Sequence, residues 1–315
     1  MPFELDPDVV DGLKGVAAKV AGIERPALDG TEGVRAMVAL TMGSDQPPPI
    51  EVSRKDVSVT SFDGAEIPAR WYWKDDVSDS AAVLYLHGGG RVAGSIDVYD
   101  RIVSDYVLRA GVPMLSIGYR LAPEFGFPLP QEDCYSGLCW LAEHAEELGV
   151  DPGRIAVMGD SAGGGFAASA ALLARDRYGP RISRQILIYP SLDDRQLSPE
   201  VHLLKTPQTA QGYERSKAGW DAHLQGRAGA HDIPTVAAPG RLKDATGLPP
   251  AYIEAGEVDV VRADGVEYAK TLWRSGVSVE LHVHPGCPHG YDVFAPDASV
   301  TARALADRTR VLNAL

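Results

Sequence analysis

The chain has 315 residues, 45 % of them apolar, enough for one large α/β domain with decorations and too many for wholesale disorder. Its formal net charge is −13 and its isoelectric point about 5.0. That excludes nucleic acid or an anionic membrane as the main partner, because both require concentrated Lys and Arg. Three cysteines, Cys134, Cys139 and Cys287, stand at no metal-like spacing and predict reduced, mostly buried thiols. Met1 to Asp6 is acidic and lacks the basic-then-apolar pattern of a signal peptide. The apolar runs are too short to span a bilayer. A soluble cytoplasmic protein without membrane insertion is expected.

In chain order, residues 1 to 45 predict amphipathic helices: Val9, Val10, Leu13, Val16, Ala17 and Val20 recur at helical spacing, and Val34, Met37, Val38 and Leu40 follow a break. Pro47-Pro48-Pro49 reads as a stiff connector. Val57 to Phe62 and Ile67 to Trp73 flank the turn Asp63-Gly64 as a hairpin. Ala81 to Leu86 is a buried strand that runs into His87-Gly88-Gly89-Gly90. Tyr99 to Ala110 reads as a helix stopped by Gly111, Val112 to Tyr119 as a strand, and Glu132 to Leu148 as a helix stopped by Gly149. Arg154 to Met158, Gln185 to Tyr189 and Pro250 to Ala255 are further strands. Asp264 to Arg274 is a helix, Val277 to Val283 the last strand, and Ser299 to Leu315 the closing helix. Eight strands alternating with helices imply a mostly parallel sheet covered on both faces. Residues 194 to 246 break the rhythm and hold no clear strand. With residues 1 to 45 they are expected to form a cap over the C-terminal edge of the sheet, where open α/β folds bind ligands. The catalytic core is then 46–193 plus 247–315.

The chemistry centres on Ile155 to Gly164, an apolar run, a tight turn and the start of a helix. The turn reads Gly159-x-Ser161-x-Gly163, the nucleophile-elbow pattern in its required context. A serine at a helix start is otherwise an N-cap, so the motif alone does not decide. A serine hydroxyl needs a base and a place for negative charge. Helix N–H groups beginning at Ala162 and the glycines after His87 are candidates for the second need. No phosphate-binding glycine motif is present. For the base, His289 lies in a loop after the last strand, in the chain order serine, acid, histidine. His282 and His284 are two apart on one strand face and read as a solvated face rather than a metal site. The acid is one of Glu257, Asp259 and Asp264. Asp264 reads as a first-turn helix residue, and between the two loop carboxylates spacing favours Asp259 only slightly.

Taken together, these residues resemble the bacterial hormone-sensitive-lipase-like (family IV) esterases of the α/β-hydrolase superfamily. The resemblance rests on His87-Gly88-Gly89-Gly90, on Gly118-Tyr119-Arg120-Leu121-Ala122-Pro123-Glu124, and on Gly159-Asp160-Ser161-Ala162-Gly163-Gly164. Gly247-Leu248-Pro249-Pro250, Asp259-x-x-Arg262 and His289-Gly290 extend it. It implies an α/β-hydrolase fold with a helical cap, Ser161 as nucleophile, Asp259 as acid and His289 as base. It implies oxyanion donors at Gly89, Gly90 and Ala162, short- to medium-chain carboxylic esters as small-molecule substrates, and no cofactor. It also implies a homodimer through the last strand, Val277 to Val283. An amidase or lactonase would use the same triad, and some relatives are non-catalytic small-molecule-binding proteins.

Three positions depart from the family pattern. Arg91 stands where an apolar or aromatic residue is usual, Val260 where Pro is usual, and Gly165 where Asn is usual. Val260 and Gly165 are expected to alter loop stiffness only. Arg91 is expected to snorkel to solvent, the alternative being that it recruits an ester carrying a carboxylate or other polar group. Tyr213 and Trp220 of the cap, and Tyr291 beside the base, are candidates for lining the substrate pocket.

Overall fold

The structure, a computed structural model, describes residues 3–20, 30–42, 47–75, 77–195 and 207–315. Among these described residues, eight strands form one sheet in the order β1-β2-β4-β3-β5-β6-β7-β8. Their ranges are β1 Ser53–Thr60, β2 Glu66–Trp73, β3 Ser80–Leu86, β4 Met114–Ile117, β5 Val150–Asp160, β6 Arg184–Ile188, β7 Ala251–Gly256 and β8 Val279–His284. Only β2 runs against the rest; every pair from β4 to β8 is parallel. Strands β3, β4, β6 and β7, and β5 from Ile155 onward, are buried almost throughout. That matches their continuous apolar runs, because a parallel strand with helices on both faces has no wet side.

Helices α3 Ile96–Ala110, α4 Leu129–Glu143, α5 Ala162–Asp176, α7 Arg262–Arg274 and α9 Ser299–Asn313 form the layers. Side chains of α4, α5 and α7 pack on one face, around Leu138, Phe166 and Leu272. Those of α3 and α9 pack on the other, around Val103, Tyr106 and Val311. The predicted boundaries shift where capping chemistry intervenes. Helix α3 starts before Tyr99 because the Ser95 hydroxyl accepts a bond from the Val98 N–H. Gly111, with φ +68°, ends it as expected. Helix α4 ends at Glu143, short of the expected Leu148; the His144 ring stacks on Trp140 and the chain turns toward β5.

Above the C-terminal ends of the strands lie α1 Pro7–Val20, α2 Gly30–Met42 and α6 Pro207–His223. Helix α2 packs against α6. Helix α6 falls in the stretch where the sequence shows no strand, and its polar composition hides its helical period. Parts of the expected cap, 21–29, 43–45 and 196–206, lie outside the described residues, as do Met1 and Pro2. Among the described residues, no helix is long and apolar enough to cross a membrane.

Candidate active site

Ser161 sits between the end of β5 and the start of α5 with φ +54° and ψ −119°. A non-glycine residue there is strained, and such strain persists only where surrounding packing over-determines it. The packing is visible at Gly163. A Cβ on that residue would lie 1.9 Å from the Leu86 carbonyl oxygen, so only glycine lets the elbow press against the end of β3. Ser161 occupies the N-cap position of α5, yet its hydroxyl makes no capping bond. It lies instead 2.7 Å from His289 Nε2.

His289 lies on the loop after β8, ahead of the short helix α8 Tyr291–Phe294. Its Nδ1 is 2.7 Å from Asp259 Oδ2. A carboxylate can only accept, so Nδ1 carries the proton and Nε2 is left to accept from the serine. Asp259 follows β7, is 1 % exposed, and is held by the Val261 N–H on its other oxygen. Burial pulls the imidazole down, but the charge and hydrogen bond of Asp259, with Asp160 and Asp292 behind it, hold His289 above its ordinary value. The other two acid candidates are engaged elsewhere. Glu257 accepts the Gly286 N–H. Asp264 accepts the N–H groups of Leu192 and Asp193, and burial pushes its carboxyl up to about 7.

The glycine loop after β3 faces the elbow. Gly89 has φ +119°, a region closed to L side chains, and a Cβ there would lie 2.2 Å from the Ala93 oxygen. The Gly89 and Gly90 N–H groups, like that of Ala162, carry no hydrogen bond among the described residues. Asp160 joins the loop to the elbow. Its Oδ1 accepts from the Gly88 N–H and the Tyr85 hydroxyl, and its Oδ2 from the Tyr99 hydroxyl. Burial pushes the Asp160 carboxyl up, against those two hydroxyls, which pull it down. His87 stacks on Tyr119, whose hydroxyl donates to the His87 carbonyl.

A cavity of about 340 Å³ opens over Ser161 and His289. Its walls are largely aliphatic. Leu13, Val16 and Ala17 come from α1, and Val34, Met37 and Val38 from α2. Val260 also lines it, so that departure shapes the cavity as well as its loop. Nothing local in α1 or α2 says which face of a cap helix meets the sheet, so their place in this wall emerges only in the fold.

The other expected pocket residues are placed differently. Trp220 is 1 % exposed and packs with Leu224, Ile233 and Ala237 inside the cap. Tyr213 is half-buried on α6 and stands outside the cavity wall. Tyr291 is fully buried beneath the His289 loop, with its hydroxyl donating to Glu254. Arg91 does not snorkel. It is 3 % exposed, with its guanidinium donating to Ser191 and lying over the Trp220 ring, at one edge of the cavity. Burial pulls it down to about 10, which leaves it charged at neutral pH. Gly165 is likewise more than a change in stiffness, since a Cβ there would lie 2.4 Å from the Ser191 oxygen. His284 is buried rather than solvated, and His282 pairs with Glu280. Cys287 is buried, its thiol pushed up to about 12 by that burial, which makes it a poor target for thiol reagents.

Behind His289 lies a cluster that no sequence motif marks. Arg308 of α9 is buried and pairs with Glu254 of β7 and with Asp292, 2.6 Å away. Asp292 also accepts from the Tyr189 hydroxyl, and the Tyr189 ring lies edge-on to His289 at 4.9 Å. A buried cation between two carboxylates thus braces the wall against which the imidazole rests.

Comparison with known proteins agrees with this geometry. A family profile described as alpha/beta hydrolase fold matches residues 83–293. Carboxylesterase NlhH of Mycobacterium tuberculosis is 38 % identical over 301 residues, covering 91 % of this chain and 92 % of its own. Ethyl acetate hydrolase of Pseudomonas putida is 35 % identical, covering 92 % of each. Among solved structures, Bacterial Heroin Esterase superposes with a TM-score of 0.84 at 33 % identity, over 98 % of this chain and 97 % of its own. An esterase from the bacterial hormone-sensitive lipase (HSL) family superposes at 0.80 and 27 % identity, over 98 % of each. With the profile running from β3 through the elbow to the histidine loop, and relatives matching nearly the whole chain, the chain belongs to the alpha/beta hydrolase fold family.

Proposed function

We propose that this protein is a serine carboxylesterase acting on short- to medium-chain carboxylic esters. One observation carries the reading: Ser161, His289 and Asp259 form a continuous line of two 2.7 Å contacts, with a serine hydroxyl that caps nothing. His289 takes the proton as Ser161 Oγ attacks the ester carbonyl. Asp259 keeps the imidazole in the right tautomer and stabilises its charged form. The N–H groups of Gly89, Gly90 and Ala162 receive the oxyanion, the alcohol leaves with the proton from His289, and water hydrolyses the acyl-enzyme. The aliphatic cavity walls favour an apolar acyl or alcohol group. An intact base and acid also speak against a purely binding role, which needs neither.

Residues 1–45 and 194–246 act as the cap, and 46–193 with 247–315 as the catalytic core. The homodimer forms through β8, an edge strand that carries exposed Val283, with exposed Trp273 on α7 nearby in sequence, since an open edge invites pairing. A cytoplasmic setting fits the three free cysteines, which are at home in a reducing compartment.

The test is a panel of esters varied separately in acyl length and alcohol size, with an amide and a lactone of matched acyl group. Wild type should hydrolyse the esters far faster than the amide, and Ser161→Ala should lose about 10⁶-fold in turnover. Preference for the amide or the lactone would replace the ester assignment.

A further inference from the structure

Arg91 directly follows the oxyanion glycines and has φ +70°. Its side chain turns inward and reaches three elements at once. Nη2 donates to the Ser191 carbonyl at 2.8 Å, and Nη1 lies 3.3 Å from the Ser191 hydroxyl. The Ser191 N–H in turn donates to the carbonyl of Ser161, the proposed nucleophile, at 2.9 Å. The guanidinium carbon lies 3.4 Å from the centre of the Trp220 ring on α6 and 6.0 Å from that of Phe166 on α5. Among the described residues its hydrogen-bond acceptors are neutral, and the nearby carboxylates of Asp264 and Asp194 act on it only through space.

Two glycines make room for this arrangement. A Cβ on Gly165 would lie 3.2 Å from Arg91 Nη2 as well as against the Ser191 oxygen. A Cβ on Gly219, the residue before Trp220, would lie 2.3 Å from the Gly90 oxygen. Helix α6 therefore rests its backbone directly on the oxyanion loop, with Arg91 pinned beneath the neighbouring tryptophan. The departures at 91 and 165 belong together, because a side chain on residue 165 would begin 3.2 Å from the guanidinium and against the carbonyl it donates to, so anything longer than a methyl would meet Arg91.

We propose that Arg91 is a positioning residue that ties the oxyanion loop to the cap helix α6 and, through Ser191, to the backbone of Ser161. The N–H groups of Gly89 and Gly90 then hold their alignment with the nucleophile only while α6 is docked. This inference rests on the esterase reading above. It also replaces the idea that Arg91 recruits a charged ester, since both terminal nitrogens already donate to Ser191 and an indole lies over the guanidinium.

The test is steady-state hydrolysis of a neutral p-nitrophenyl ester, and of one carrying a carboxylate on its acyl group, by Arg91→Met, Arg91→Lys, Trp220→Leu and the Arg91→Met/Trp220→Leu double variant, with active sites counted by an organophosphonate. Arg91→Met should lose about 10- to 100-fold in kcat with little change in KM, the size expected when oxyanion donors are displaced rather than removed. Arg91→Lys should recover part of that loss. The double variant should lose little more than Arg91→Met alone, because both changes break one contact. A boronic acid, which mimics the tetrahedral intermediate, should bind more weakly by the factor lost in kcat/KM. Three results overturn the proposal: an unchanged kcat, a loss confined to the KM of carboxylate-bearing esters, or a loss matched by missing titratable sites. Ser161→Ala in the same assay keeps the two readings separable. If it stays active the esterase mechanism fails; if it is inactive while Arg91→Met equals wild type, only the positioning role fails.

Discussion

Gly219→Ala turns the closeness of helix α6 and the proposed oxyanion loop into a number. The added methyl would lie 2.3 Å from the Gly90 oxygen, about 1.1 Å inside an ordinary contact of 3.4 Å. Both partners are backbone, one in a helix and one in the oxyanion loop, so no side chain can rotate away. Either α6 lifts or Gly90 recedes by roughly that distance. A misplacement of about 1 Å at reacting groups costs about 10²-fold, or about 2.7 kcal/mol of transition-state stabilisation. The same change removes a glycine from a helix interior, which by itself stabilises a helix by about 1 kcal/mol. Activity and stability should therefore part company. Turnover of a neutral ester falls about 100-fold, while the thermal midpoint falls far less than such an overlap in a packed core would cause. Comparing kcat with the unfolding midpoint on the same preparation reads both. A Gly219→Ala enzyme within about twofold of wild-type kcat would refute the direct contact between α6 and the oxyanion loop.

Asp259→Asn should lower kcat by about 10⁴-fold, as expected when the imidazole loses the partner that sets its tautomer. The proposed mechanism needs neutral His289, and its pKa is raised, so the acidic limb of kcat/KM should lie above the ordinary 6.5 of the imidazole. In Asp259→Asn the limb should move to lower pH, because burial then acts with less opposition; a limb that stayed put would detach the two residues. Arg308→Met should strand the buried carboxylates of Glu254 and Asp292 and cost about 3–5 kcal/mol in denaturant unfolding. A cost below about 1 kcal/mol would mean that those carboxylates are neutral or hydrated.

The parts of the site that were legible in the sequence are those whose chemistry is local. Ser161 stands in a strand–turn–helix whose glycines are demanded by the approach of Leu86, and His289 follows the last strand in the expected chain order. The choice between Glu257 and Asp259 is already tertiary. In the fold Asp259 meets the imidazole and Glu257 meets the Gly286 N–H, contacts that no local spacing encodes. The unread features all depend on distant partners. Arg91 looks like a solvent-seeking cation until Trp220 and Ser191 fold over it. Trp220 and Tyr291 have the composition of pocket aromatics but pack into the cap and under the histidine loop, and the cavity takes aliphatic walls from α1 and α2 instead. Helix α6 escaped notice because a helix resting its backbone on a loop needs glycine there rather than an apolar stripe.

The most direct measurement of the central claim is covalent labelling by a fluorophosphonate, read by peptide mass spectrometry alongside ester hydrolysis. One phosphonyl group per chain, on the peptide carrying Ser161, with hydrolysis lost in step with labelling, is the result the triad geometry predicts. Label on another residue, or hydrolysis that survives full modification of Ser161, would contradict it.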